Sequence, residues 1–134
     1  MPPMRRLLPT AAALLGLWGL VLPALATTRF LTGSEDVPLM EGLAEVPDTR
    51  IVFDTPGGRI VDVDTAGPVS ADDVARFYRE SLPALGWKLD QPADDGADKY
   101  VFRRATEILV ITLHGQGDGD GALGVRFNLR PHAL

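Results

Sequence analysis

The sequence predicts an α+β fold: a two-layer sandwich in which a β-hairpin precedes one amphipathic helix packed on an antiparallel sheet of about five to six strands. Three observations predict it. Ser70 to Leu85 carries a capped apolar stripe at helical spacing, two β-branched runs flank the turn residues Asp54 to Gly58, and Ala122 to Arg130 alternates with period 2.

The hairpin comes first. Arg50 to Phe53 and Arg59 to Asp64 are the β-branched runs, and Asp54-Thr55-Pro56-Gly57-Gly58 lies between them. Proline sets φ for such a turn and glycine accepts the positive φ that follows. A Gly-rich turn that cradles phosphate needs a helix after it, and here a strand follows.

Ser70 then stands as an N-cap, with Asp73 at the capping-box position and Val69 and Val74 placed as a hydrophobic staple. Asp72 and Asp73 occupy the first turn, where the helix dipole favours negative charge. Val74, Phe77, Tyr78, Leu82 and Leu85 fall on one stripe, so one face is expected to be buried. Pro83 cannot donate to the carbonyl of Arg79, so the last turn should tighten or kink before Gly86 ends the helix.

A short strand is expected at Trp87 to Gln91, an acidic loop at Pro92 to Asp98, and further strands at Lys99 to Arg104, Glu107 to Leu113 and Ala122 to Arg130. In the last of these, Leu123, Val125, Phe127 and Leu129 mark a half-buried antiparallel strand. Ile108 to Leu113 is nearly all apolar, which predicts a central strand covered on both faces.

Ahead of the hairpin, residues 27–47 hold no period and read as an extended arm. Val37, Leu39, Met40, Leu43 and Val46 are too many apolar residues for a free linker, so part of the arm should lie across the body of the domain. The remainder, 48–134, reads as a single α+β domain.

Residues 1–26 have the zones of a secretory signal peptide: Arg5 and Arg6, an apolar run from Ala11 to Leu22, and Ala24-Leu25-Ala26 as a small-x-small cleavage site. The run is shorter than the ~20 residues that span a bilayer, so an uncleaved N-terminal anchor is the weaker alternative and no stable membrane span is expected after cleavage. Removing Arg5 and Arg6 leaves 11 of the 13 basic residues against all 18 acidic ones, a formal charge of −7. Such a chain is repelled by phosphate backbones, which argues against a nucleic-acid partner.

Cysteine is absent. That excludes a disulfide framework, a thiolate nucleophile, a Cys-based metal site and a lipid anchor on cysteine. An exported domain of this size that relies on packing alone suits a bacterial periplasm, the compartment predicted here.

Chemistry-bearing groups are sparse. Gly117-Asp118-Gly119-Asp120-Gly121 falls short of the six to eight oxygens a calcium loop needs, and a strand rather than a helix follows it. His114 and His132 sit in no zinc or triad spacing. Asp62 with Asp64, and Asp94 with Asp95, are carboxylate pairs of the kind acidic surfaces commonly carry. Ser70 serves as a cap, and no Gly-x-Ser-x-Gly elbow surrounds any serine. No catalytic residue, metal ligand or cofactor is therefore predicted. Arg103, Arg104, Arg126 and Arg130 are the one local reversal of charge and form the candidate interaction surface, with cross-strand pairing to Asp or Glu as the competing use.

The run Phe77-Tyr78-x-x-x-Leu82-x-x-Leu85-Gly86-Trp87 followed by a strand resembles a motif of small exported proteobacterial proteins of unassigned function. In these a capped helix ends in Gly-Trp and a β-meander completes the domain, so the resemblance implies the same fold from about Asp36 to Arg130. It carries no activity, ligand or site residue.

The functional expectation is an exported, periplasmic, non-enzymatic interaction or assembly module. Val52, Ile60, Val101, Leu109, Ile111 and Leu113 exceed what one helix can cover, so a further layer is needed. The arm, a second copy of the chain or another envelope protein could supply it. The alternative is a small periplasmic hydrolase or ligand-binding domain with its site between helix and arm.

Overall fold

Extended chain gives way to helix at Ser70. Its backbone is still extended (φ −88°, ψ 153°), and its Oγ accepts the N–H of Asp73 at 3.1 Å, satisfying a donor that the first turn leaves free. The computed structural model describes residues 27–90, 98–116 and 121–132; the expected signal peptide at 1–26, residues 91–97 of the expected acidic loop, the Gly-Asp stretch at 117–120 and residues 133–134 lie outside them. Helix α1 runs Ala71–Ser81. Pro83 then tightens the chain into a 3-10 turn, Pro83–Leu85, and Gly86 closes it at φ 88° while the Trp87 N–H returns to the Leu82 carbonyl.

The strands are β1 Arg29–Phe30, β2 Pro38–Leu39, β3 Ala44–Glu45, β4 Ile51–Thr55, β5 Gly58–Gly67, β6 Lys88–Leu89, β7 Lys99–Arg104, β8 Glu107–Gln116 and β9 Leu123–Pro131. β1 and β2 form a small antiparallel pair within the arm. The others make one seven-stranded antiparallel sheet in the order β3-β5-β9-β8-β7-β6, with β4 also on β5. The six strands expected from the sequence are all present, and the arm supplies the seventh, β3. The hairpin turn is tighter than the residue pattern implies: Thr55 is opposite Gly58, leaving only Pro56 and Gly57 in the loop, and the Thr55 hydroxyl donates to the Gly58 carbonyl at 2.7 Å.

One face of the sheet is the core. Val61 and Val63 of β5, Val125, Phe127 and Leu129 of β9, Leu109, Ile111 and Leu113 of β8, and Tyr100 and Phe102 of β7 all point into it. Val74 and Tyr78 of α1 and Leu82 at its C-cap cover them, with Ala75 joining the stripe. The arm completes this layer, burying Leu31, Val37 and Leu43. Burying each such side chain contributes about 1.5 to 3 kcal/mol.

Tyr78 ties helix, arm and sheet together. Its ring stands edge-on to Phe127 at 5.3 Å, while its hydroxyl donates to the Pro38 carbonyl at 2.9 Å and accepts the Met40 N–H at 3.2 Å. Trp87, fully buried, donates Nε1–H to the Asp36 carbonyl at 3.3 Å. Among the described residues, no helix is long and apolar enough to cross a membrane.

The arm supplies a second layer on the same side as the helix, over Leu109, Ile111 and Leu113. Of the rest of the apolar surplus, Ile60 and Val101 lie on the outer face and Val52 is 41% exposed. β8 is central, between β9 and β7, but it is not covered on both faces. Leu109, Ile111 and Leu113 are buried beneath α1 and the arm, whereas Val110 and Thr112 on the opposite, outer face keep part of their contact with solvent. Ile108 alone on that face is buried, in register between Arg103 and Arg130.

Candidate interaction surface

The outer face collects the charged residues that alternate with the core. On β5 these are Asp62 and Asp64, on β9 Arg126, Asn128 and Arg130, on β8 His114, and on β7 Lys99 and Arg103. Arg126 stands directly opposite Asp64 but reaches diagonally to Asp62, with Nε at 2.9 Å and Nη2 at 3.1 Å from its two carboxylate oxygens. Asn128 Nδ2 donates to the same carboxylate at 3.1 Å, and Arg130 Nη1 donates to Asn128 Oδ1 at 3.2 Å. The hydrogen bonds that Arg126 donates to Asp62, with the charges of Asp62 and Asp64, raise the pKa of Arg126 above its usual value. Asp64 is left facing His114, whose Nε2 is 3.7 Å away.

The four arginines therefore do not form one patch. Arg103, Arg126 and Arg130 share the outer face, and Arg103 is paired with Asp90 at 2.8 Å. Arg104, on the opposite face at the end of β7, clamps the arm. It bonds Asp36 at 2.8 Å and Glu107 at 2.7 Å, and its guanidinium lies 4.6 Å above the Trp87 ring. Cross-strand and diagonal pairing absorbs Arg126, leaving Arg130 bonded to a neutral amide. Asp62 and Asp64 do share a face, each turned to a different partner; Asp94 and Asp95 lie outside the described residues, as do Asp118 and Asp120. Among the described residues, no three His, Asp or Glu side chains come together as metal ligands would.

The helix and arm frame an open depression of about 450 Å³ lined by Thr27, Thr28, Arg29, Leu39, Glu41 and Phe77. Its polar lining residues, Thr27, Thr28, Arg29 and Glu41, all come from the arm, and they include no nucleophile paired with a base.

A feature the charge pattern does not reveal is the edge at β4. Ile51, Val52 and Phe53 are 54%, 41% and 49% exposed, the largest run of exposed apolar side chains among the described residues. Gly33 of the arm packs against the Val52 side chain from the inner face, but among the described residues β4 has a strand partner only on its β5 side. Pro47 and Pro56 bracket the strand, and no charge interrupts it between Arg50 and Asp54. Natural sheets usually guard such edges with lysine, proline or a bulge inside the strand. The signal in the sequence was Val52, already in surplus over what one helix could cover; what the sequence did not show is that the surplus stands on a free edge.

No family model matches the sequence, and neither a curated protein nor a solved structure matches it.

Proposed function

We propose that the chain is an exported, periplasmic interaction or assembly module, not an enzyme, that engages protein through the free edge and exposed side chains of β4. The carrying observation is the uninterrupted exposure of Ile51, Val52 and Phe53 on a strand with one open side. Such an edge offers unpaired backbone donors and acceptors together with apolar side chains, which is the chemistry of strand addition. The export reading rests on the charged, apolar and small-x-small zones of residues 1–26 and on the absence of cysteine.

A photoreactive side chain placed at Phe53 in the full chain, activated in intact cells, tests this reading. The expected result is a discrete protein adduct in the periplasmic fraction, on a chain beginning at Thr27, and its loss in Val52→Pro. Val52→Pro blocks the free edge. A chain that stays in the cytoplasm, or one that yields no protein adduct at any expression level, overturns the proposal.

A further inference from the structure

We infer that the occupant of the β4 edge is β4 of a second copy, paired antiparallel about a two-fold axis through Val52. This deepens the interaction reading above and rests on it.

Backbone direction comes first. The N–H and C=O of Asp64 face the β3/β4 side of β5: Val46 N donates to the Asp64 carbonyl at 2.8 Å, and Asp64 N donates to Thr49 Oγ1 at 3.2 Å. Strand alternation then turns Asp62, Ile60 and Gly58 the same way, toward their register partners Ile51, Phe53 and Thr55. The intervening residues of β4, Val52 and Asp54, consequently present their backbone groups to the open side. A second strand must meet those residues in hydrogen-bonded pairs, so only registers that set even-numbered residues opposite even-numbered ones are available.

Charge selects among them. With Val52 opposite Val52 of the other copy, Arg50 faces Asp54, Ile51 faces Phe53, and the same pairs recur on the other side of the axis. The stretch Arg50-Ile51-Val52-Phe53-Asp54 is thus its own complement: cation, three apolar residues, anion. Sliding by two residues in either direction sets Arg50 or Asp54 opposite Val52 and leaves the charges without counterparts. Asp54 is 73% exposed in its side chain and Arg50 46%, so both are accessible although each already has an intrachain partner, Arg59 and Glu45 respectively. Asp54 would lie between two guanidinium groups, an arrangement its two carboxylate oxygens can serve.

Side chains agree with this register. Ile51 and Phe53 share the outer side of β4 with Ile60, so pairing joins the three to their counterparts as one apolar row across the junction. The interface is short, at the small end of stable protein contacts, so the dimer is a concentration-dependent one.

The purified protein, as the cell processes it, is examined by sedimentation equilibrium across a concentration series, with variants R50D, D54R and Val52→Pro whose folding is checked by circular dichroism. Wild type should shift from monomer toward dimer as concentration rises. Each charge reversal alone places like charges opposite each other twice and should weaken self-association roughly tenfold or more. An equimolar mixture of R50D and D54R restores opposite charges at both ends of the interface and should recover wild-type association as a mixed dimer. Val52→Pro removes an N–H that β5 does not use and should leave a folded monomer.

A wild-type chain that remains monomeric to about 1 mM, a concentration at which even weak protein contacts are populated, overturns the second-copy inference. So does a dimer that is indifferent to the reversals, or a mixture that fails to recover. The interaction reading itself fails separately, through the absence of any adduct from position 53. An adduct with a different protein sustains that reading while overturning self-pairing.

Discussion

Asp36 and Arg104 are 68 residues apart in sequence and 2.8 Å apart in the fold, joining the arm to the end of β7. Arg104 makes this contact while donating to Glu107 and to the Leu85 carbonyl and lying over Trp87. One guanidinium thereby fixes the arm, the helix end and the β7–β8 turn. Lysine offers a single ammonium and cannot serve all of these directions at once. Arg104→Lys should lower stability by about 1 to 2 kcal/mol. Urea unfolding checks this: the midpoint should fall at an unchanged slope, and an unchanged midpoint would refute the clamp.

The same contact makes stability depend on pH in acid. The hydrogen bond from Arg104 holds the Asp36 carboxyl below its usual pKa, outweighing the desolvation that would raise it. For Glu45, burial pushes upward, but the Thr32 N–H and the Arg50 guanidinium overcome it and the pKa is lowered. Because both carboxyls bind protons less readily in the folded chain, the unfolded chain takes up more protons as pH falls. Their contribution is therefore complete above the ordinary carboxylate range, about pH 4 to 5, and is lost as pH drops through the lowered folded values. The stability difference between wild type and Asp36→Asn should accordingly be largest at neutral pH and shrink below about pH 4. A difference that stays constant from pH 7 to 3 would contradict this.

Tyr78 supplies the neutral counterpart to that clamp. Burial pushes its hydroxyl pKa upward, so it stays protonated and available both to donate to Pro38 and to accept from Met40. Tyr78→Phe keeps the ring against Phe127 but leaves the Met40 N–H and the Pro38 carbonyl without their partner. The expected cost is about 1 to 2 kcal/mol, and the Met40 amide should exchange with solvent faster than its neighbours do. Unchanged exchange at Met40 would show that the arm is held elsewhere.

At the helix start, Ser70→Ala removes the acceptor for the Asp73 N–H. A loss of about 1 kcal/mol is expected, with Ser70→Asp retaining most of the stability. Thermal unfolding of the pair checks it, and equal losses in both would mean the cap does not act through its side-chain oxygen.

Local chemistry was legible from the residues alone wherever its cause lay within a few positions of its effect. The Ser70 cap, the stripe through Val74, Tyr78 and Leu82, the Gly86 stop and the alternation along β9 depend on neighbours one to four residues away, and periodicity records such neighbours directly. The arm was legible only as a surplus of apolar residues. Its strands are two residues long, too short for a period, and they are held by partners at Asp64, Thr65, Tyr78 and Arg104 that lie far along the chain.

The amino-acid order by itself determined the α+β class, the boundaries of the helix and of the six strands outside the arm to within a few residues, and which side of β9 faces the core, because each follows from short-range sterics and burial period. Only the tertiary structure decided that Arg104 parts from Arg103, Arg126 and Arg130, that helix and arm cover the same face, and that Ile51 to Phe53 stand on an open edge. Those are questions of which strand neighbours which, and pairing across tens of residues is set by the joint packing of the whole core, which no local window of sequence contains.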